Sequence, residues 1–317
     1  MQWKDRKGSN NVEDQRGRSS GGGGLGGVGS SMALMAIFSR LGIKGTIVVI
    51  IIGLIVWKVF GINPLALLGG QSPTQQVQSS QPYQEGSQEA ITREMAGVVL
   101  ADTETVWQQI FQADGKQYVK PTLVLFTGAV NSGCGAAQSA MGPFYCPADQ
   151  KLYIDLSFFQ QMREQMGITG DQQGSAQGNS ANQAGDFAQA YVIAHEVGHH
   201  VQNLLGISGQ VQQARQQANK VKGNALSVRQ ELQADCLAGV WAYHNQQRTH
   251  FLQPGDVEEA LDAANKIGDD YLQKQARGHV VPDSFTHGTS AQREQWFRTG
   301  LNSGNVNQCD TFSAAQL

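Results

Sequence analysis

Several features that would place the chain in a familiar class are missing from its sequence. The net charge is only −3, and no cluster of Lys and Arg is interleaved with aromatic residues. None of the four cysteines stands in a Cys-x-x-Cys pair, the spacing typical of cysteine-based zinc sites. The segment before the long apolar run is too long for a secretory leader and has no clear small-x-small cleavage site. These absences argue against a nucleic acid partner, a cysteine zinc module and a cleaved leader.

One long apolar run is present, at residues 43–62. As a helix rising about 1.5 Å per residue it would be roughly 30 Å long, enough to cross a bilayer. Trp57 and Lys58 suit the membrane interface near its end. A buried core helix is the alternative, but the flanking Gly-rich and Gln-rich tracts offer this run nothing to pack against. The run therefore predicts one transmembrane helix.

The distribution of basic residues predicts the orientation of that helix. Lys and Arg are frequent before the span, whereas none occurs between Lys58 and Arg93. By the positive-inside rule, residues 1–42 are expected in the cytoplasm of a bacterial cell, as a polar, Gly-rich, disordered segment. Residues 63–88, rich in Gln, Ser and Pro, are expected to be a solvated tether. Residues 89–317 would then form the main folded domain, on the periplasmic or extracellular side of the inner membrane.

The four cysteines fit an oxidising compartment of this kind. They allow three pairings, and sequence alone does not choose among them. We favour a local Cys134–Cys146 bridge and a long-range Cys236–Cys309 bridge, each stabilising by about 3–4 kcal/mol if unstrained. A zinc site built from the cysteines is the alternative, and their spacing does not support it.

The strongest chemical signal is His-Glu-x-x-His at residues 195–199. Side chains four apart share one helical face, so His195 and His199 can present two imidazoles to one zinc ion. Glu196 then lies beside the metal, where it can accept a proton from a water molecule. Asp186, with Gln189 three residues later, predicts a capping box at the start of this helix.

A third ligand is predicted on a later helix. Glu231 and Asp235 are four apart in a run with helical periodicity, and a carboxylate is an accepted ligand beside two histidines. Asp235 would hold a ligating imidazole by its other N–H. The alternative is a solvated acidic face, which such a pair usually indicates. Small residues at positions 234, 238 and 239 would allow close helix contact and favour the ligand interpretation.

These motifs resemble those of the neutral zinc metallopeptidase family, the YpfJ-like bacterial membrane proteins. Besides the two blocks above, the resemblance is carried by Asn11–Asp14, Ser132–Ala136 and Gly142–Pro147. The Glu-x-x-Ala-Asp element at 231–235 is also similar to that of gluzincin peptidases, which implies Glu231 as zinc ligand and Asp235 as its support. The resemblance implies a zinc-dependent peptidase acting on peptide or protein substrates.

Local patterns complete the predicted fold, an α+β, mostly helical zincin-like domain with a small sheet, preceded by the transmembrane helix. A helix is predicted over 89–113, and the short β-rich runs 122–126 and 152–156 are expected to pair. An exposed edge there could bind an extended substrate by strand addition, or both strands could be purely structural. The loop 167–185 is either a lid or an ordinary surface loop. Further helices are predicted from residue 256 to about 273 and after residue 290.

Two other histidines, His287 and His200, have predicted roles near the motif. His287 precedes the last helix and is a candidate donor to the oxyanion of a tetrahedral intermediate; a surface-loop histidine is the alternative. His200 would project about 100° from His199 and is expected to pack or support rather than bind metal. The competing functional hypothesis is a membrane-tethered scaffold that keeps zinc for stability, whose site would be closed by a fourth protein ligand such as His200 or Asp235. Nothing in the sequence indicates the oligomeric state.

Overall fold

The computed structural model describes residues 1–17, 83–164, 166–168 and 185–317. Met1–Arg18 and Gln84–Leu317 form one compact unit, which is α+β and mostly helical, as expected. In the described part of the chain, no helix is both long and apolar enough to cross a membrane. The predicted span 43–62, nearly all of the tether and most of the loop 167–185 lie outside the described residues.

A four-stranded mixed sheet supports one side of the unit. The described residues form six strands, of which four belong to this sheet: β1 (Val12–Asp14), β2 (Thr122–Phe126), β3 (Ala129–Ser132), β4 (Gly135–Gln138), β5 (Phe144–Cys146) and β6 (Lys151–Asp155). The sheet order is β1-β2-β6-β5; β2 runs parallel to both β1 and β6, and β5 is an antiparallel edge strand. The predicted pairing of the two β-rich runs is confirmed, with Val124 opposite Tyr153. A separate β3–β4 hairpin lies between them in sequence.

The N-terminal segment corrects one expectation. Residues 1–17 are ordered parts of the unit, so the disorder predicted for residues 1–42 does not hold for them. The β1 strand pairs with β2, and the Trp3 side chain is buried in the core. The Arg6 guanidinium pairs with the buried Asp102 carboxylate. A polar segment can be ordered in this way because the sheet edge and buried acids satisfy its donors; residues 18–42 lie outside the described residues.

The described helices mostly follow the predicted boundaries. They are α1 (Ser87–Ala113), α2 (Ser157–Glu164), α3 (Asp186–Leu204), α4 (Ile207–Gln217), α5 (Lys220–Thr249), α6 (Asp256–Lys266), α7 (Asp269–Arg277) and α8 (Ser290–Ser303). The single helix predicted from 256 to 273 is divided into α6 and α7. The break is at Gly268, where a Cβ atom would lie 2.5 Å from the backbone nitrogen of Ser290. The start of α8 thus approaches too closely for a side chain.

Helix α3 lies at the centre of the core. It packs against α1, α5 and α6, and nearly all of its residues are buried. Both preferred disulfides are confirmed: Cys134–Cys146 joins the turn of the β3–β4 hairpin to the end of β5, and Cys236–Cys309 joins α5 to the C-terminal segment. The second bridge helps to fix α5, which carries the predicted third ligand, against the rest of the unit.

Candidate metal centre

The two histidines of the motif lie on one face of α3, as predicted. Their ring centroids are 4.8 Å apart and the ring planes are nearly perpendicular. One helical turn separates them, and the helix is held by burial on almost every side. The imidazoles therefore have little freedom to move relative to each other.

Glu231 reaches the same point from α5. Its Oε2 atom is 3.2 Å from Nε2 of His195 and 3.5 Å from Nε2 of His199. Ligand atoms about 2.0–2.1 Å from a tetrahedral zinc ion are roughly 3.3 Å from one another. The two distances to Glu231 match this value, all three donor atoms lie within 4.8 Å of one another, and the donor set is one that zinc accepts.

The other ring nitrogens define the tautomers. Nδ1 of His195 is 2.7 Å from Oδ1 of Asp235, and Nδ1 of His199 is 2.9 Å from Oε1 of Gln202. The Gln202 amide is oriented by donating to the Gln230 carbonyl, so its oxygen faces His199. Each imidazole then donates through Nδ1 and turns its Nε2 atom toward the Glu231 carboxylate. The two Nε2 atoms can face this carboxylate stably only with protons or a metal ion between them.

The electrostatics of the cluster agree with that requirement. Burial disfavours a charged ring at His195, but the Asp235 carboxylate and hydrogen bonds to Asp235 and Glu231 outweigh it and raise its pKa to about 10. Burial likewise opposes charge at His199, whose pKa is nevertheless raised by Glu231. Burial also opposes ionisation of Glu231, yet the two imidazoles hold its pKa well below the usual range. The site stabilises an ionised carboxylate beside positive charge.

Behind His195 lies a fully buried polar group that sequence reasoning found only in part. Asp235 accepts from His195, from the Tyr191 hydroxyl at 2.6 Å, and from the Arg293 guanidinium through two bonds of 2.9 Å. Burial would raise the pKa of Asp235, but Arg293 and His195 lower it to about 2. The carboxylate is therefore ionised and orients His195 from behind.

Close contact between the two ligand helices makes this geometry possible. A Cβ atom on Gly198 would lie 2.9 Å from the Ala234 carbonyl oxygen and 3.1 Å from its Cα. Because Gly198 has no side chain, α5 approaches α3 closely enough for Glu231 to reach both imidazoles. The predicted close contact is thus confirmed at Ala234; Gly239 instead approaches α8, where its Cβ would meet the Phe297 carbonyl.

The cluster opens on a cleft of about 730 Å³, a volume typical of ligand sites. Glu196 lines this cleft beside the histidines, and its carboxylate has no hydrogen-bond partner among the described residues. The opposite wall is mainly apolar and includes the edge strand β5. The side chains of this wall come from the disulfide-bridged loop, the residue after it and α2; they are Met141, Pro143, Phe144, Tyr145, Pro147 and Phe158.

His287 also lines the cleft, at its rim, where 51% of its side chain is exposed. The Asp269 carboxylate at the start of α7 holds this loop by accepting the backbone N–H groups of residues 286, 287 and 288. The ring Nδ1 is 3.3 Å from the same carboxylate, and this contact raises the pKa of His287. The exposed ring is thus anchored on one side and open to the cleft.

His200 has a packing role, as expected. Its ring is fully buried, donates through Nε2 to the Val119 carbonyl at 2.6 Å, and accepts at Nδ1 from the Tyr145 hydroxyl at 3.0 Å. Burial lowers its pKa to about 4, so the ring is neutral. These contacts join α3 to the sheet rather than to the metal cluster.

Four supporting residues were missed by sequence reasoning: Tyr191, Gln202, Asp269 and Arg293. Tyr191 and Gln202 are four before His195 and three after His199, so their helical faces offered a signal. Arg293 and Asp269 lie on α8 and α7. No local sequence pattern predicts that these helices approach the metal centre.

Comparison with known proteins agrees with this geometry. A family model described as "Putative neutral zinc metallopeptidase" matches residues 1–312. The chain is 48% identical over 312 residues to the uncharacterized protein YpfJ of Escherichia coli (strain K12), covering 98% of this chain and 99% of that one. It is 44% identical over 223 residues to an uncharacterized protein of Mycobacterium tuberculosis (strain H37Rv), covering 68% of each. No solved structure gives a significant match. The chain belongs to the neutral zinc metallopeptidase family.

Proposed function

We propose that the chain is a membrane-anchored zinc endopeptidase that hydrolyses peptide bonds in peptide or protein substrates. His195, His199 and Glu231 would hold the metal, which when bound supplies Lewis acidity toward a water molecule and a substrate carbonyl. The observation that carries the proposal is the position of Glu196. Its carboxylate opens on the same cleft, next to the cluster and without a competing partner among the described residues.

The chain's own groups then divide the chemistry. Glu196 takes a proton from the attacking water and later passes it to the leaving amine. His287, anchored by Asp269 and half exposed at the rim, donates a hydrogen bond from its free ring nitrogen to the developing oxyanion. The edge strand β5 borders the cleft and offers an extended substrate its unpaired side for strand addition.

A zinc site kept only for stability is the second candidate. Such a site needs a fourth protein ligand, and the candidates for this ligand are His200 and Asp235. His200 binds Val119 and Tyr145, and Asp235 is taken up by His195, Tyr191 and Arg293. With both directed elsewhere and a cleft beside the cluster, the catalytic alternative is favoured.

Membrane attachment through residues 43–62 and an oxidising location belong to the same proposal. Two disulfides support the location. The docking of residues 1–17 on the domain limits how the chain can cross the membrane. A chain that crosses once after residue 17 would separate this segment from the domain in either orientation, so a single crossing at residues 43–62 and the β1–β2 pairing exclude each other in one molecule. Reporters of compartment fused at the two ends of the chain decide between them.

The enzymatic proposal is tested with Glu196→Gln. This variant should keep about one zinc per chain and lose hydrolysis of an unfolded protein substrate by about 10²–10⁴-fold, the usual contribution of a general base. Asp262→Asn, an exposed change on α6, is the matched control and should hydrolyse normally. Wild-type protein that carries zinc but shows no hydrolysis, or a Glu196→Gln variant as active as wild type, would contradict the proposal.

A further inference from the structure

A second cluster of charged groups lies at the start of the helix that carries the metal centre. Asp186 is the first residue of α3, and Asp256 and Glu259 lie in the first turn of α6. All three carboxylates are buried and close enough together to share one cation. The capping box expected at Asp186 and Gln189 is not formed. The residue before the helix, Gly185, is in the left-handed conformation, and no side chain of α3 caps its own first turn.

The cation in this pocket belongs to the chain itself. The α-ammonium of Met1 donates to Asp186 through bonds of 2.8 and 3.0 Å and to Asp256 at 3.1 Å. Met1 is a buried residue, with 6% of its surface exposed. Glu259 completes the pocket and accepts the backbone N–H of Phe187 at 3.2 Å. The ammonium thus joins the starts of α3 and α6 across 185 and 255 residues of sequence.

The segment behind Met1 is docked along its whole described length. The backbone N–H of Gln2 donates to the Phe251 carbonyl at 2.7 Å, and Phe251 packs against Phe187 of α3. Ser9 donates its N–H to Gly97 at 2.9 Å, and Ser9 and Asn11 both bind the Glu104 carboxylate. The β1 strand follows. These separate contacts hold residues 1–17 against the domain, and they thereby hold the Met1 ammonium in the pocket.

We propose that Asp186, Asp256 and Glu259 form a binding site for one primary ammonium, that of Met1, and that its occupation holds the start of the metal-site helix in position. Three buried carboxylates without a cation would repel one another, and helix N-termini carry only partial positive charge. Asp186 is nine residues before His195 on the same rigid helix, about 13 Å away. A displaced helix start would therefore shift the imidazoles relative to Glu231. Met1 is a positioning group here; the site requires residues 1–17 and the domain to lie on the same side of the membrane, and the effect of Met1 on hydrolysis rests on the function proposed above.

Reactivity of the α-amine tests the site without reference to hydrolysis. The full-length protein is treated with an amine-acylating reagent near neutral pH, where ordinary α-amines react faster than lysines, and the rate at Met1 is followed by mass spectrometry. Met1 of the wild type should react at least about tenfold more slowly than Met1 of Asp186→Asn, as a shift of one pKa unit alone would produce. Asp262→Asn, on α6 but outside the pocket, should behave like the wild type.

A Gly-Ser extension before Met1 tests the positioning role. It replaces the ammonium with a neutral amide and should lower both the unfolding temperature and the affinity for zinc. The extension should be less harmful in the Asp186→Asn background than in the wild type, because the two changes remove the same contact. Fully additive effects, or a wild-type Met1 that is acylated as fast as an exposed amine, would overturn the proposal. The second result would also be obtained if a metal ion occupied the pocket instead. Since acylation and unfolding need no turnover, an inactive enzyme would leave this test intact.

Discussion

Two charged clusters lie along one helix, and they differ in composition and in access to solvent. The open cluster has two imidazoles and one carboxylate beside a cleft of about 730 Å³. The closed cluster has three buried carboxylates around an ammonium. With neutral imidazoles the open cluster carries one negative charge, which suits a dication that keeps one coordination position free. The closed cluster carries its cation within the chain. One helix thus carries the proposed metal site near its middle and, at its start, a cluster that joins it to α6 and Met1.

The largest expected difference between the clusters is in zinc content. His199→Ala removes one of three ligands from the open cluster and should leave the purified protein without zinc after dialysis, hence without hydrolysis. Glu259→Gln is the matched change in the closed cluster. Its amide oxygen can still accept the Phe187 N–H, so this variant should retain about one zinc per chain. Zinc is measured by elemental analysis.

Either of two results would break this contrast. Zinc retained by His199→Ala would mean that the metal is held elsewhere. Zinc lost from Glu259→Gln while the protein stays folded would mean that the closed cluster controls zinc binding, either by holding the ion itself or by positioning the start of α3. Circular dichroism provides the control for folding in both variants.

The open cluster was predictable from sequence to a much greater extent than the closed one. Helical periodicity is a local rule, and it predicts that His195 and His199 share one face of a helix. The same rule predicts that Glu231 and Asp235 share one face of a second helix. The closed cluster depends on contacts across 185 and 255 residues. Asp186 resembles a local cap, and nothing near it in sequence indicates that its partner is Met1. Arg293 was missed for the same reason, since its approach to Asp235 depends on how α8 packs on α5.

A smaller effect is expected behind the open cluster. Asp235→Asn keeps the shape of the side chain but removes the charge that orients His195 and pairs with Arg293. Losing such a supporting carboxylate should weaken zinc binding by about 10–100-fold, measured by competition with a chelator. In this variant the His195 ring should be held less firmly than the His199 ring, because Gln202 still contacts His199. An unchanged zinc affinity would show that Asp235 serves only the packing of Arg293.

The smallest expected effect is a pH dependence that belongs to the closed cluster. Burial, followed by the charges of Asp186 and Asp256, raises the pKa of Glu259 to about 7. Burial also raises the pKa of Asp186 to about 6, although the Met1 ammonium opposes the shift. A carboxyl whose pKa is higher in the folded protein binds its proton more tightly there. Its contribution to stability is therefore fully present below the unfolded value and is lost as the pH rises through the folded value.

Glu259→Gln removes one of these titrations, and its stability relative to the wild type should change with pH accordingly. Between pH 5 and 8 the variant should gain about 2 kcal/mol on the wild type in the free energy of unfolding, from a shift of roughly two pKa units. Chemical denaturation at several pH values measures this difference, with Asp262→Asn as the control. The remaining groups that face Glu259 (Asp186, Asp256 and the Met1 ammonium) are unchanged in the variant. A difference that stays constant with pH would mean that Glu259 is already ionised at pH 5. The excess negative charge would then be balanced by the ammonium and the two helix starts alone.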